Sequence, residues 1–123
     1  IQAAKLDKMD MAYTFYLRTS RLDFDDYNKE VEEGLHITAM AGTWMSIVEG
    51  FGGMRMKNDT LSFEPRIPWQ WKGYSFKVNF RNHILKINVT HNGTSFELEK
   101  GDDLIILVDG KKVAVSPNDL VTV

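Results

Sequence analysis

A chain of 123 residues with 43% hydrophobic and 26% charged residues is long enough to bury a proper core and has the balance of a globular protein. A net charge of -2 and a pI near 5.9 speak against a nucleic-acid binder, which carries a basic face. No apolar run reaches the roughly 20 residues of a membrane span, and without cysteine there is neither a disulfide framework nor thiolate chemistry.

In chain order, the opening IQAAK reads as the inside of a helix, and Ile1 is not an initiator. The expectation is a piece cut from something longer. The first residues, IQAAKLDK, lack the apolar run of a signal peptide. Asp7-Lys8 is either a break between two helices or the exposed face of one. DMAYTFYLRTSR has the spacing of an amphipathic helix, with Met11, Phe15 and Leu17 or Thr19 on neighbouring ridges. A polar connection follows, LDFDDYNKEVEEG, whose acids Asp25, Asp26, Glu32 and Glu33 read as a solvated loop.

Ile37, Met40, Ala41, Trp44, Ile47, Val48 and Phe51 recur at three- and four-residue spacing, which predicts a helix from about Ile37 to Glu49 with one apolar stripe. The plain reading of that stripe is core packing. Gly50, Gly52 and Gly53 stop the helix by supplying a permissive backbone.

After Met56 the period changes to two. Tyr74, Phe76, Val78 and Phe80 alternate with polar residues, as do Leu85, Ile87 and Val89, and Phe96 and Leu98 continue the pattern. Arg81-Asn82-His83 is short enough for a tight turn. Asn92-Gly93 and Asp109-Gly110 predict type I′ hairpins, and Gly101-Asp102-Asp103 a further turn. Successive hairpins imply an antiparallel meander forming one side of a sandwich, with LIILV, apolar on both faces, at its centre. The division falls between Gly53 and Leu61, giving a helical unit over 1–56 and an all-β unit over 57–123. So small a β unit needs a partner to pack on.

The stretch that can carry chemistry is GLHITAMAGTW, residues 34–44. Gly34 turns the backbone and His36 falls at a helix start, where unpaired N–H groups and the helix dipole favour an anion. Ala39, Ala41 and Gly42 permit close approach, Thr43 adds a hydroxyl, and His36 adds a donor. On residue types alone a single histidine among small residues is more often a packing site than a ligand site. His36 and Thr43 share a face if the helix is regular and flank an anion if Gly42 kinks it. His36, His83 and His91 do not have metal-site spacing. Pro68-Trp69-Gln70-Trp71 leaves two readings open: rings that stack on a sugar, or rings buried against the helices. Asn58, Asn88 and Asn92 begin sequons, triplets that also arise in turns and strands.

EGLHITAMAGTWMSIVEGFGGMR closely resembles the last helix of the catalytic barrel in glycoside hydrolase family 65, and YLRTSRLDFDDYNKE the segment before it. The β half resembles that family's C-terminal domain. The resemblance implies an α+β fold: the C-terminal helices of an (α/α)6 barrel followed by a small antiparallel β-sandwich. It implies a phosphorylase, acting without metal or organic cofactor, that cleaves an α-linked disaccharide (maltose is the expected one) with inorganic phosphate and inverts the anomeric centre. It implies that His36, Gly42 and Thr43 hold the phosphate through an imidazole donor, an amide N–H and a hydroxyl or N–H. The family's catalytic acid is a glutamate upstream of these residues, and homodimers are common in the family. The rival expectation is a non-catalytic carbohydrate-binding or interaction module.

Overall fold

The computed structural model describes every residue except 27, 28, 30, 31 and 33, so part of the polar connection, Glu33 included, lies outside the described residues. Among the described residues four α-helices come first: α1 (Gln2–Lys5), α2 (Met9–Ser20), α3 (Leu22–Asp25) and α4 (Ile37–Met45). Asp7-Lys8 is a break, with Asp7 at φ 57° between α1 and α2. Helix α4 continues without interruption into a π-helical segment, Ser46–Phe51, where the Gly52 N–H reaches back five residues to the Ile47 carbonyl at 2.7 Å.

Eight strands follow: β1 (Arg55–Lys57), β2 (Thr60–Phe63), β3 (Gly73–Phe80), β4 (His83–Thr90), β5 (Gly93–Lys100), β6 (Leu104–Val108), β7 (Lys111–Val115) and β8 (Leu120–Thr122). They form two four-stranded sheets, ordered β1-β2-β6-β7 and β3-β4-β5-β8. Strands β3, β4 and β5 are the expected antiparallel meander. The chain then crosses to the other sheet, so LIILV lies outside the meander: β6 sits between β2 and β7 with Ile106 and Val108 buried, while Ile105 on its other face is 57% exposed. The β2–β6 pairing is parallel, joining Ser62 to Leu107.

Turn chemistry follows the sequence at two hairpins and departs from it at a third. Asp109 and Gly110 have φ of 46° and 80°, and Arg81 and Asn82 have 47° and 66°, the paired positive values of a type I′ turn. The Asn92-Gly93 hairpin forms, but Thr90 pairs with Gly93, so the central residues are His91 and Asn92. Asn92 keeps a negative φ and only Gly93, at 143°, is positive, so a type I′ turn centred on Asn92-Gly93 is not what forms. The Thr90 hydroxyl accepts the Asn92 N–H and donates to the Gly93 carbonyl, which selects the shifted turn. KNDT is likewise a hairpin within the sheet, joining β1 to β2, with Asn58 and Asp59 at positive φ.

The sandwich core is built from the inward residues of both sheets, including Phe63, Phe76, Leu85, Ile87, Phe96, Leu98, Ile106 and Val115. Phe63 and Phe96 meet at 5.5 Å between ring centres and join the two sheets. Val48, from the π-helical segment, is fully buried in the same core. Its neighbour Phe51 enters a second cluster with Ala4 and Ala12, so this one segment fastens the helices to the sandwich.

Trp71 completes the fastening. Its ring lies 4.8 Å from Phe51, 5.1 Å from Tyr16, 5.6 Å from Tyr74 and 6.0 Å from Tyr13, mostly in edge-to-face contacts. Trp69, by contrast, is 75% exposed and donates its indole N–H to Asp10 at 3.2 Å. Burial against the helices thus holds for one tryptophan of the two.

The helical half carries a second apolar surface. On α2 the buried or half-buried stripe is Met9, Ala12, Tyr13 and Tyr16, while the Met11 and Phe15 ridge faces outward. On α4 the expected core stripe divides: Ile47, Val48 and Phe51 pack inside, but Ile37, Met40 and Trp44 are exposed. A helix with two apolar stripes is suited to two neighbours, and a concentration of exposed apolar side chains marks a surface built for contact.

Candidate functional site

His36 is the N-cap of α4 and does not close the helix with its side chain. Instead its imidazole Nδ1 lies 2.6 Å from Oδ1 of Asp23, on α3, and its backbone N–H donates to Oδ2 of the same carboxylate at 3.2 Å. Both side chains are half-buried, at 28% and 19% exposed. An ionised carboxylate only accepts, so Nδ1 carries the proton in this contact, a short charge-assisted hydrogen bond. One carboxylate thereby grips both the backbone and the ring of His36.

Two residues on, Asp25 is committed elsewhere. Arg21 donates to it from Nε and Nη2, both at 2.8 Å, and this hydrogen bonding holds the Asp25 carboxyl below the usual carboxylate range. The acid-rich run therefore holds distinct partners, with Asp23 reaching His36 and Asp25 reaching Arg21. Sequence reasoning missed Asp23. The signal was present only as one acid among several, thirteen residues from the histidine it holds.

Helix α4 runs regularly through Gly42, so the kinked alternative does not occur and His36 and Thr43 lie on one side of the helix. Seven residues of helix set them about 10 Å apart along the axis, a gap that ring and hydroxyl must close around any shared ion. The Thr43 hydroxyl donates to the Ala39 carbonyl at 2.8 Å and has to rotate to serve a ligand. Gly42 is the sixth residue of the helix, so its N–H belongs to the internal ladder and is not turned outward. It lies where α4 crosses α2, and a Cβ there would stand in ordinary contact with the Thr19 methyl, at 3.5 Å.

The helix start is less open than unpaired amides would make it. The Ile37 N–H is turned onto the Leu35 carbonyl, and those of Ala39 and Met40 onto the carbonyl of His36. An anion at this helix start would therefore depend on side chains and the helix dipole. Between α2, α3 and α4 lies a cavity of about 310 Å³, lined by Thr19, Ser20, Asp23, Phe24, Ala39 and Thr43 among others, so Asp23 and Thr43 face common space. Among the described residues no group of three or more acidic or histidine side chains could hold a metal. His83 and His91 are turned to backbone carbonyls of Phe80, Arg81 and Trp71.

The β half, over residues 54–115, matches the glycosyl hydrolase family 65 C-terminal domain. The chain belongs to glycosyl hydrolase family 65. Residues 1–45 match the family 65 central catalytic domain, which places the His36–Asp23 pair within the catalytic part of the family pattern. Among family 65 proteins, maltose phosphorylase of Bacillus subtilis (strain 168) is 50% identical over 85% of this chain and 14% of its own length. An α,α-trehalose phosphorylase of Geobacillus stearothermophilus is 41% identical over 91% of this chain and 15% of its own. The fold superposes with a TM-score of 0.90 and 36% identity on a solved human-microbiome protein assigned as a kojibiose phosphorylase, over 98% of this chain and 18% of that one. The chain thus spans about a seventh of the length of the curated relatives it matches, and the α+β architecture is that of a family 65 C-terminal portion.

Proposed function

We propose that this chain is the C-terminal part of an inverting glycoside phosphorylase that cleaves maltose with inorganic phosphate to give glucose and β-glucose 1-phosphate. The helices up to Phe51 are then the last of the catalytic barrel, and the strands from Arg55 onward a structural β domain, a division two residues before the one expected after Met56. The likeness to maltose phosphorylase, at 50% identity, supports maltose over the trehalose and kojibiose that the names of other relatives carry. The exposed apolar side of α2 and α4 supports the fragment reading, since preceding barrel helices would cover it. A cytoplasmic setting, with phosphate and disaccharide as partners and a homodimer as the assembly, belongs to the same reading.

The observation that carries the proposal is the ordered His36 at the entry of α4. Phosphate arrives already anionic, so a phosphorylase has no need of the carboxylate that an inverting hydrolase uses to activate water. What it requires is an anion held in line with the anomeric carbon, and such positioning contributes much of the rate. His36 donates to a phosphate oxygen, Thr43 donates its hydroxyl after leaving the Ala39 carbonyl, and Gly42 leaves the helix surface beside Thr43 without a side chain. The catalytic glutamate comes from the upstream barrel.

In the full-length parent, the direct assay is phosphate-dependent release of glucose 1-phosphate from maltose, with trehalose and kojibiose in parallel. His36→Ala raises the phosphate KM far more than the maltose KM; equal changes in the two would remove His36 from the phosphate subsite. A second reading, sugar binding by the β half, is favoured by one observation, the exposed Trp69 indole. Titration of the chain with maltose, followed by Trp fluorescence, separates the two: a flat response disposes of the sugar-binding reading.

A further inference from the structure

We infer that Asp23 is the positioning residue of the phosphate subsite, acting through His36 and making no contact with phosphate itself. The inference rests on the phosphate-holding reading of His36 given above, and adds a residue that this reading did not contain.

The argument begins with what an imidazole needs in order to hold an anion. A histidine side chain turns about two bonds, and its two nitrogens exchange roles with tautomer. To aim one nitrogen at a ligand, the other has to be tied down, as the outer partners of metal-binding histidines do. Asp23 provides that tie at 2.6 Å on Nδ1. The same carboxylate also accepts the His36 backbone N–H at 3.2 Å, which fixes the residue at its Cα as well as at its ring. In the phosphate-holding reading, Nε2 is the nitrogen that reaches phosphate. Asp23 is itself held on α3, a helix that starts one residue after α2 ends, so the grip connects α4 to α2 through a short path.

The two-point grip also explains why an acid is used. A carboxylate has two acceptor oxygens, and here Oδ1 takes the ring while the backbone N–H is shared between Oδ2 at 3.2 Å and Oδ1 at 3.4 Å. Asparagine offers one acceptor, and alanine none. The three side chains therefore form a graded series. The carboxylate lines the cavity that Thr43 also lines, where its charge would repel an anion if the imidazole did not stand against it. Asp23 thus serves phosphate only with His36 in place.

The test uses the full-length parent and steady-state phosphorolysis of maltose. Asp23→Ala raises the phosphate KM by about tenfold to a hundredfold, the scale set by losing a hydrogen bond to a charged group, and leaves the maltose KM unchanged. Asp23→Asn falls between wild type and alanine, and decides the matter if the alanine variant does not fold. Combined with His36→Ala, Asp23→Ala adds nothing further, because the residue acts through the ring that is gone. Multiplying effects in the double variant, a phosphate KM unmoved in Asp23→Asn, or parallel changes for phosphate and maltose would each overturn the positioning role while the His36 assignment stands. A phosphate KM unmoved by His36→Ala alone would instead overturn the subsite, and this inference with it.

Discussion

Tyr74 shows at one residue how the sandwich is joined to the helices. Its hydroxyl donates to the Arg66 carbonyl at 2.8 Å while its ring packs beside Trp71, Phe51 and Phe76. Burial pushes its phenol well above the usual tyrosine range. The protonated form is thus favoured in the folded state, so the associated stability is whole below pH ~10. It is lost as pH rises, because the unfolded chain releases the proton first. Urea denaturation near neutrality and again above pH ~10 should show stability falling on the alkaline side, less steeply in Tyr74→Phe. That variant gives up about 1 kcal/mol at neutral pH with its hydrogen bond. Identical alkaline slopes would show that other groups govern the loss. At this scale the sequence was read unevenly. Phe76, Val78, Leu85 and Ile87 were legible because alternation states which side is in. Trp69 and Trp71 were not separable, since both precede a strand and only the path of the chain after Pro68 decides which ring meets Tyr16 and Phe51. Asp23 was illegible for a different reason: its partner is distant in sequence and its neighbours are chemically identical.

Among elements, the π-helical segment decides the join between the two halves. Widening the helix after Met45 lets Ile47, Val48 and Phe51 face different packed regions, with Val48 in the sandwich and Phe51 against α1 and α2. The sequence predicted a helix here and its glycine stop, but a 3.6-residue period cannot report a local change to a wider turn. For the same reason one apolar stripe was expected where the structure has a buried portion and an exposed one. Gly53 ends the segment at φ 61°, and an added Cβ would collide with the backbone of Glu64. Gly53→Ala should cost on the order of 1–3 kcal/mol, measured by chemical denaturation. A loss no larger than that of Gly110→Ala, where φ is also positive but an added Cβ meets nothing, would show that the collision relaxes freely.

For the molecule as a whole, the same contacts bear on cooperativity. Trp71 touches aromatic rings from α2, the π-helical segment and β3, and the Arg66 N–H donates to the Phe51 carbonyl at 2.7 Å alongside. Helix content and the NMR signals of sandwich-core residues such as Leu85 and Ile87 should therefore be lost in one coincident transition. Trp71→Ala should destabilise by about 3 kcal/mol and pull the two signals apart. Coincident curves in the variant would mean that Val48 suffices to couple the halves.

The parallel pairing of β2 with β6 has a kinetic consequence. The meander β3-β4-β5 closes through turns of a few residues, whereas Ser62 meets Leu107 only after about 45 residues of intervening chain are drawn in. Long loop closures are entropically late events, and topologies rich in them fold slowly. The sheet containing β1 and β2, the strands reached directly from the helices, is accordingly the one that waits for β6. Until that strand arrives, the Phe63 ring has only one of its two sheets to pack in.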